Sequence, residues 1–245
     1  RYEFVTGVQT CALPIYLKFV VVSWRNIPLV SFNDPMLMLG VPKSVTAATG
    51  CDAFVQAIEP YVSVDHNPIT DSQCKEAIQL IQEALPEAVA NGQNVEARTK
   101  MVEAEMLAGM AFNNANLGYV HAMAHQLGGQ YDAPHGVCCA LLLTTVEEYN
   151  LIACPDRFAE LARIMGYDTT GLTTMQAAEK SIDGMREMCK AVGIPSSIKA
   201  IGAKPEDFSL MAENALKDGN AFSNPRKGTK QDIIDLYQKA YDGIY

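Results

Sequence analysis

From Pro42 onward apolar residues recur with a period near 3.6, and the pattern holds to the C-terminus, so roughly the last 200 residues read as helices. Cys74, Ala77, Ile78, Ile81 and Leu85 form one stripe, with Thr70-x-x-Gln73 predicted as its capping box. Phe158, Leu161, Ala162 and Met165 form a second. A third, Ala178, Ile182, Met185 and Cys189, follows Thr173-x-x-Gln176, and Ile233, Leu236, Tyr237 and Ala240 make the last. Each reads as a face turned toward a core. Upstream the pattern differs: residues 17–23 (LKFVVVS) and 27–32 are rich in β-branched and aromatic side chains, which predicts two short strands. The expected fold is mainly α, a helical domain over 42–245 with a β remnant of an α/β domain over 16–41. Residues 1–15 stand apart, because 5–15 (VTGVQTCALPI) look like a translated sequencing adapter. Gln9, Thr10 and Pro14 break any signal-peptide pattern there. On this reading the natural chain was cut on its N-terminal side.

Composition narrows the partners. The 245 residues are 49% hydrophobic and 19% charged, which suits a globular chain of one large or two small domains. With 28 acidic against 19 basic residues, a net charge of −9 and no basic run, nothing drives binding to nucleic acid or an anionic membrane. No uncharged apolar run approaches the roughly 18 residues of a membrane span, the longest being 19–22 and 137–143. The seven cysteines are scattered without a C-x-x-C, which predicts reduced, mostly buried thiols in a cytoplasmic protein. Neither a G-x-G-x-x-G nor a G-x-x-x-x-G-K-[ST] is present, so no nucleotide-phosphate cradle is located in this chain.

Chemistry concentrates in residues 117–140 (LGYVHAMAHQLGGQYDAPHGVCCA), which hold His121, His125 and His135, three of the four histidines. His121 and His125 lie one helical turn apart, the spacing that offers two imidazoles to one cation. His135 sits in a turn setting between Pro134 and Gly136. Spacing alone leaves open a metal site or satisfied core and interface histidines, since an H-x-x-x-H without the metalloprotease Glu is weakly diagnostic. Asp52 interrupts an otherwise apolar helix (46–63, TAATGCDAFVQAIEPYVS), so it calls for a cation or a hydrogen-bonding partner, unless it merely caps the helix after Gly50. Gln56 follows on the same face. Glu59 and His66 are near in sequence, and His66 falls in a polar, solvated loop.

The stretches TAATGCDAF and LAGMAFNNANLGYVHAMAHQLGGQYDAPHGV resemble the iron-dependent (group III) alcohol dehydrogenases. LKFVVVSWRNIPLVSFNDPMLMLG and MAENALKDGNAFSNPRKG are similar to them as well, so the resemblance runs from Leu17 to the C-terminus. It implies an N-terminal α/β dinucleotide-binding domain followed by the all-helical metal domain of the dehydroquinate synthase-like fold, with the active site in the cleft between. Only the last piece of the first domain would be present here. Carried over by motif, the metal ligands are Asp52, Gln56, His121 and His135, around a divalent ion, Fe2+ first and Zn2+ as the alternative. His125 falls where the family faces the nicotinamide of NAD and the substrate, with a catalytic part as a proton relay. Leu37, Val41 and Val45 fall where relatives pack on the cofactor, with core packing as the other reading. Gln56 departs from the family, most of which has His there, and a neutral amide oxygen is a weaker donor than imidazole.

The implied activity is interconversion of a primary alcohol or diol of the 1,3-propanediol kind and its aldehyde with NAD(H). Metal Lewis acidity would act on the substrate oxygen. This truncated chain is expected to be inactive alone, and the full-length protein to be a homo-oligomer. Two alternatives remain, a helical metal-dependent hydrolase using the same Asp/His cluster and a non-catalytic helical module in which metal is structural.

Overall fold

The computed structural model describes residues 28–243 together with Lys18 and Arg25. Among the described residues there are nine α-helices and no strand: α1 (Lys43–Val62), α2 (Pro68–Ala90), α3 (Val95–Ala115), α4 (Tyr119–Tyr131), α5 (His135–Asn150), α6 (Pro155–Ile164), α7 (Thr174–Ala191), α8 (Phe208–Lys217) and α9 (Lys230–Asp242).

The expected strand at 27–32 does not form over its described part. Residues 28–34 have no regular structure, Leu29, Val30 and Phe32 are exposed, and Pro28 lacks the N–H a ladder needs. Among the described residues no strand lies beside it to complete its hydrogen bonds, and β propensity alone does not supply them. The expected strand at 17–23 and the segment 1–15 lie outside the described residues, apart from Lys18. A 3-10 turn, Pro35–Met38, then leads into α1 behind Pro42.

The helical stripes lie on α2, α6, α7 and α9, and their residues are buried except Met165, which caps the end of α6. Thr173 caps α7 in the expected box with Gln176. The box on α2 begins three residues earlier than predicted: Asn67 is the cap and Thr70 the N3 partner, because Asn67 precedes Pro68, a residue suited to the first helical turn.

Helices α1 and α5 make the centre. Between Thr46 and Val62 only Thr49 and Asp52 escape full burial, and from Cys138 to Glu147 every residue of α5 is buried. Helices apolar all round belong inside. α2 lies along α1 and α3, α4 bridges α5 and α8, α6 pairs with α7, and α8 with α9. With the turn that follows it, α5 is long and apolar enough to cross a membrane (His135–Ala153), where no such run was expected, but 72% of that window is packed inside the protein. It is a core helix.

Two contacts fix how these helices meet. Arg98 on α3 donates to the Thr46 hydroxyl (2.8 Å) and to the Val41 carbonyl (3.2 Å), holding the entry to α1. At the start of α5, Gly136 lies so close to α1 that a Cβ there would be 2.2 Å from the Ala48 carbonyl oxygen. Only glycine allows that approach, and it sets His135 beside α1 one turn before Asp52.

Candidate metal centre

Three helices supply the site: Asp52, Gln56 and Glu59 from α1, His121 and His125 from α4, His135 and Cys139 from α5. Asp52 lies in mid-helix, not at a cap. His135 is the first residue of α5 rather than part of a turn.

His121 is fully buried between two carboxylates. Its Nδ1 lies 2.5 Å from Glu59 Oε2, and its Nε2 lies 3.5 Å from Asp52 Oδ1. Glu59 also accepts from the Val120 N–H at 2.7 Å. An ionised carboxylate only accepts, so Nδ1 is assigned the proton and Nε2 turns its lone pair toward Asp52. Asp52 Oδ1, His121 Nε2 and Gln56 Oε1 are buried without a hydrogen-bond partner. Unpaired buried acceptors gathered at one point are costly unless a positive charge sits among them.

Without a cation the same pull falls on a proton: burial opposes charge on His121, yet Cys139 and the carboxylates of Glu59 and Asp52 raise its proton affinity well above the ordinary value. An ion bound at Nε2 therefore displaces a proton. Burial also works against an ionised Asp52, but His121 and His135 outweigh it and hold the carboxyl below its usual range. Burial pushes the His135 imidazole down to about 3, leaving it neutral and able to donate a lone pair. Burial likewise keeps the Cys139 thiol protonated in the absence of a cation, raising its pKa.

One donor atom from each of Asp52, His121, His135 and Cys139 lies within 4.8 Å of all the others. Gln56 stands beside them, its Nε2 donating to Asp52 Oδ2 at 3.3 Å. The His125 ring stacks on His135 at 5.5 Å, and its Nδ1 lies 2.7 Å from Asp218 Oδ2, which is buried with it. Leu37 (71% exposed) and Val45 (45%) are on the surface of this chain and Val41 is half-buried. His66 is exposed, 3.4 Å from Asp71.

Three members were not read from the sequence as part of the site. Glu59 carried a signal, since it lies seven residues and hence two turns after Asp52 on one face. Cys139 carried another, one turn after His135. Asp218 carried none that links it to His125, from which it is 93 residues distant.

Residues 46–241 match the family model described as Fe-containing alcohol dehydrogenase family, C-terminal, and the chain belongs to this family. It is 57% identical over 225 residues to 1,3-propanediol dehydrogenase of Klebsiella pneumoniae, covering 92% of this chain and 58% of that protein. With the NAD-dependent methanol dehydrogenase of Bacillus methanolicus the identity is 42% over 241 residues, covering 96% and 63%. The solved alcohol dehydrogenase from Oenococcus oeni superposes with a TM-score of 0.90 at 80% identity, covering 92% of this chain and 59% of that one. The chain thus spans less than two thirds of the length of each.

Proposed function

We propose that this chain is the metal-holding part of an NAD-dependent oxidoreductase that interconverts a small primary alcohol or diol, of the 1,3-propanediol kind, and its aldehyde. The observation that carries it is the meeting of buried, partnerless acceptors at Asp52 Oδ1 and His121 Nε2 beside a neutral His135. That donor set fits a divalent ion, Fe2+ or Zn2+. Family membership favours this reading over a hydrolase or a purely structural metal module. On the same reading 42–245 is the metal-binding catalytic domain, 16–41 the remnant of the dinucleotide-binding domain and 1–15 foreign to the fold. The whole protein is then a cytoplasmic homo-oligomer with no nucleic-acid or membrane partner.

When bound, the ion supplies Lewis acidity toward a substrate oxygen, and NAD supplies the hydride acceptor. Asp52, His121 and His135 bind the ion, and Glu59 keeps the His121 lone pair aimed at it. The Cys139 sulfur lies in the same cluster, and Gln56 stands beside it through its hydrogen bond to Asp52. Asp218 accepts the proton of His125 Nδ1, which leaves Nε2 as the nitrogen that takes or gives a proton during turnover. Leu37 and Val45, exposed apolar side chains, and the half-buried Val41 lie around the entry to α1 and suit packing on the cofactor.

The 245-residue chain, equilibrated with Fe2+ or Zn2+ and gel-filtered, should retain one ion, and His121→Ala should not. Metal that is absent from the wild type, or unchanged in His121→Ala, overturns the assignment. Joined to a dinucleotide-binding domain, the chain should reduce NAD with 1,3-propanediol.

A further inference from the structure

We propose that Cys139 is a ligand of the same ion, taking the fourth position as a thiolate, so that the site is a carboxylate–imidazole–imidazole–thiolate set with Gln56 outside it. The inference rests on the metal reading above, and its subject is the sulfur.

The separations carry it. His121 Nε2 and His135 Nε2 lie 3.5 and 3.6 Å from Asp52 Oδ1, and Cys139 Sγ lies 3.5 Å from His135 Nε2. A tetrahedral ion with metal–nitrogen and metal–oxygen bonds of about 2.0–2.1 Å and a metal–sulfur bond of about 2.3 Å requires donor–donor edges of about 3.3–3.6 Å. These three of the six edges match that range and the rest stay within 4.8 Å. Sγ, 3.9 Å from His135 Nδ1 as well, lies beside the imidazole, which must turn to aim Nε2 at a shared ion. The sulfur also lies within 4.8 Å of the Asp52 oxygen and the His121 nitrogen of the cluster, on its inner side. Cys139 is fully buried and sits one turn after His135 on the same helix, α5.

Gln56 has different work. Its amide N–H holds Asp52 Oδ2, which turns the other carboxylate oxygen, Oδ1, toward His121 and His135. A positioned carboxylate needs such a partner, and the neutral amide oxygen is a poor rival to sulfur for a borderline-soft ion. On binding, the Cys139 S–H bond breaks, its electron pair goes to the metal and one proton leaves to solvent. No oxidation is involved. The sulfur donor shifts the preference of the site toward Zn2+ and Co2+ over Fe2+.

The test is Co2+ titration of the purified chain, followed by its near-ultraviolet absorption and by X-ray absorption of the Zn2+ form. Wild type should bind one Co2+ with a sulfur-to-cobalt charge-transfer band, and the Zn2+ form should show one sulfur neighbour at about 2.3 Å. Cys139→Ser should lose the band and weaken Zn2+ binding by about tenfold or more. Cys138→Ser and Gln56→Ala should keep the band. One bound Co2+ with no band, no sulfur shell around Zn2+, or a band that survives Cys139→Ser or vanishes in Cys138→Ser overturns the inference while the Asp52, His121, His135 reading stands. A wild-type chain that retains neither ion overturns both. Should Cys139→Ser fail to fold, the sulfur shell of the wild type decides alone.

Discussion

Glu59 Oε2 and His121 Nδ1 lie 2.5 Å apart with both side chains sealed from solvent, so one buried carboxylate fixes which nitrogen of this imidazole is free to bind. Glu59→Gln keeps the shape and removes the charge. Metal affinity should fall about 10–100-fold with helical content unchanged, the usual cost of losing a partner behind a ligand. Competition with a chelator measures it, and an unaltered affinity would show that Glu59 only fills space.

Asp218 stands behind His125 as Glu59 stands behind His121, but away from the ion. Asp218→Asn should leave metal content intact, since His125 is not among the donors. In the full-length protein kcat should drop by about tenfold, because the nitrogen that exchanges protons loses its orientation. The 15N NMR spectrum of His125 should change from one tautomer to a mixture. Loss of metal in this variant would mean that the two histidines act as one unit.

Gly136→Ala tests the approach of α5 to α1. The added methyl meets Ala48 backbone, which cannot rotate aside, so the substitution should cost about 1–3 kcal/mol in denaturant unfolding and weaken metal binding together. Gly109→Ala, inside α3 with nothing within 4 Å of the new Cβ, should instead add about 0.5–1 kcal/mol. Equal effects at the two sites would contradict the packing described.

Glu147 gives the domain a pH dependence of its own. Burial, with Glu59 adding to it, pushes its carboxyl from 4.5 up to about 8, and its Oε1 has no partner. Between those values the unfolded chain releases a proton that the native state keeps, so stability from this group falls as pH rises. Glu147→Gln removes the effect. The variant should gain on the wild type by about 1–3 kcal/mol between pH 5 and pH 8 in denaturant midpoints. A constant difference across that range would show that Glu147 is already ionised.

Much of this was legible along the chain, for local reasons. α7 and α9 combine an apolar stripe with a Thr cap, and both signals lie within one helix. Asp52 stood out because a charge in an apolar helix demands a partner. The segment 27–32 misled because β-branched content describes only half of a strand, and the other half is a neighbour to bond with. Cys139 read as one more small apolar residue, since sulfur becomes a donor only through what it faces. The pairing of Asp218 with His125 depends on how α8 and the turn after it dock on α4, a tertiary fact with no local trace.

Asp52 and Glu59 meet opposite nitrogens of His121 from positions two turns apart on a single helix. A single rod therefore sets both ends of the imaging of one ring, and its pitch is the gauge. The residues between them are buried in the core, and Gln56 among them holds Asp52, but the spacing is a separate demand on the chain. Inserting or deleting one residue turns one carboxylate away from the other by roughly 100° around α1. The stretch from 52 to 59 is thus closed to any change of length.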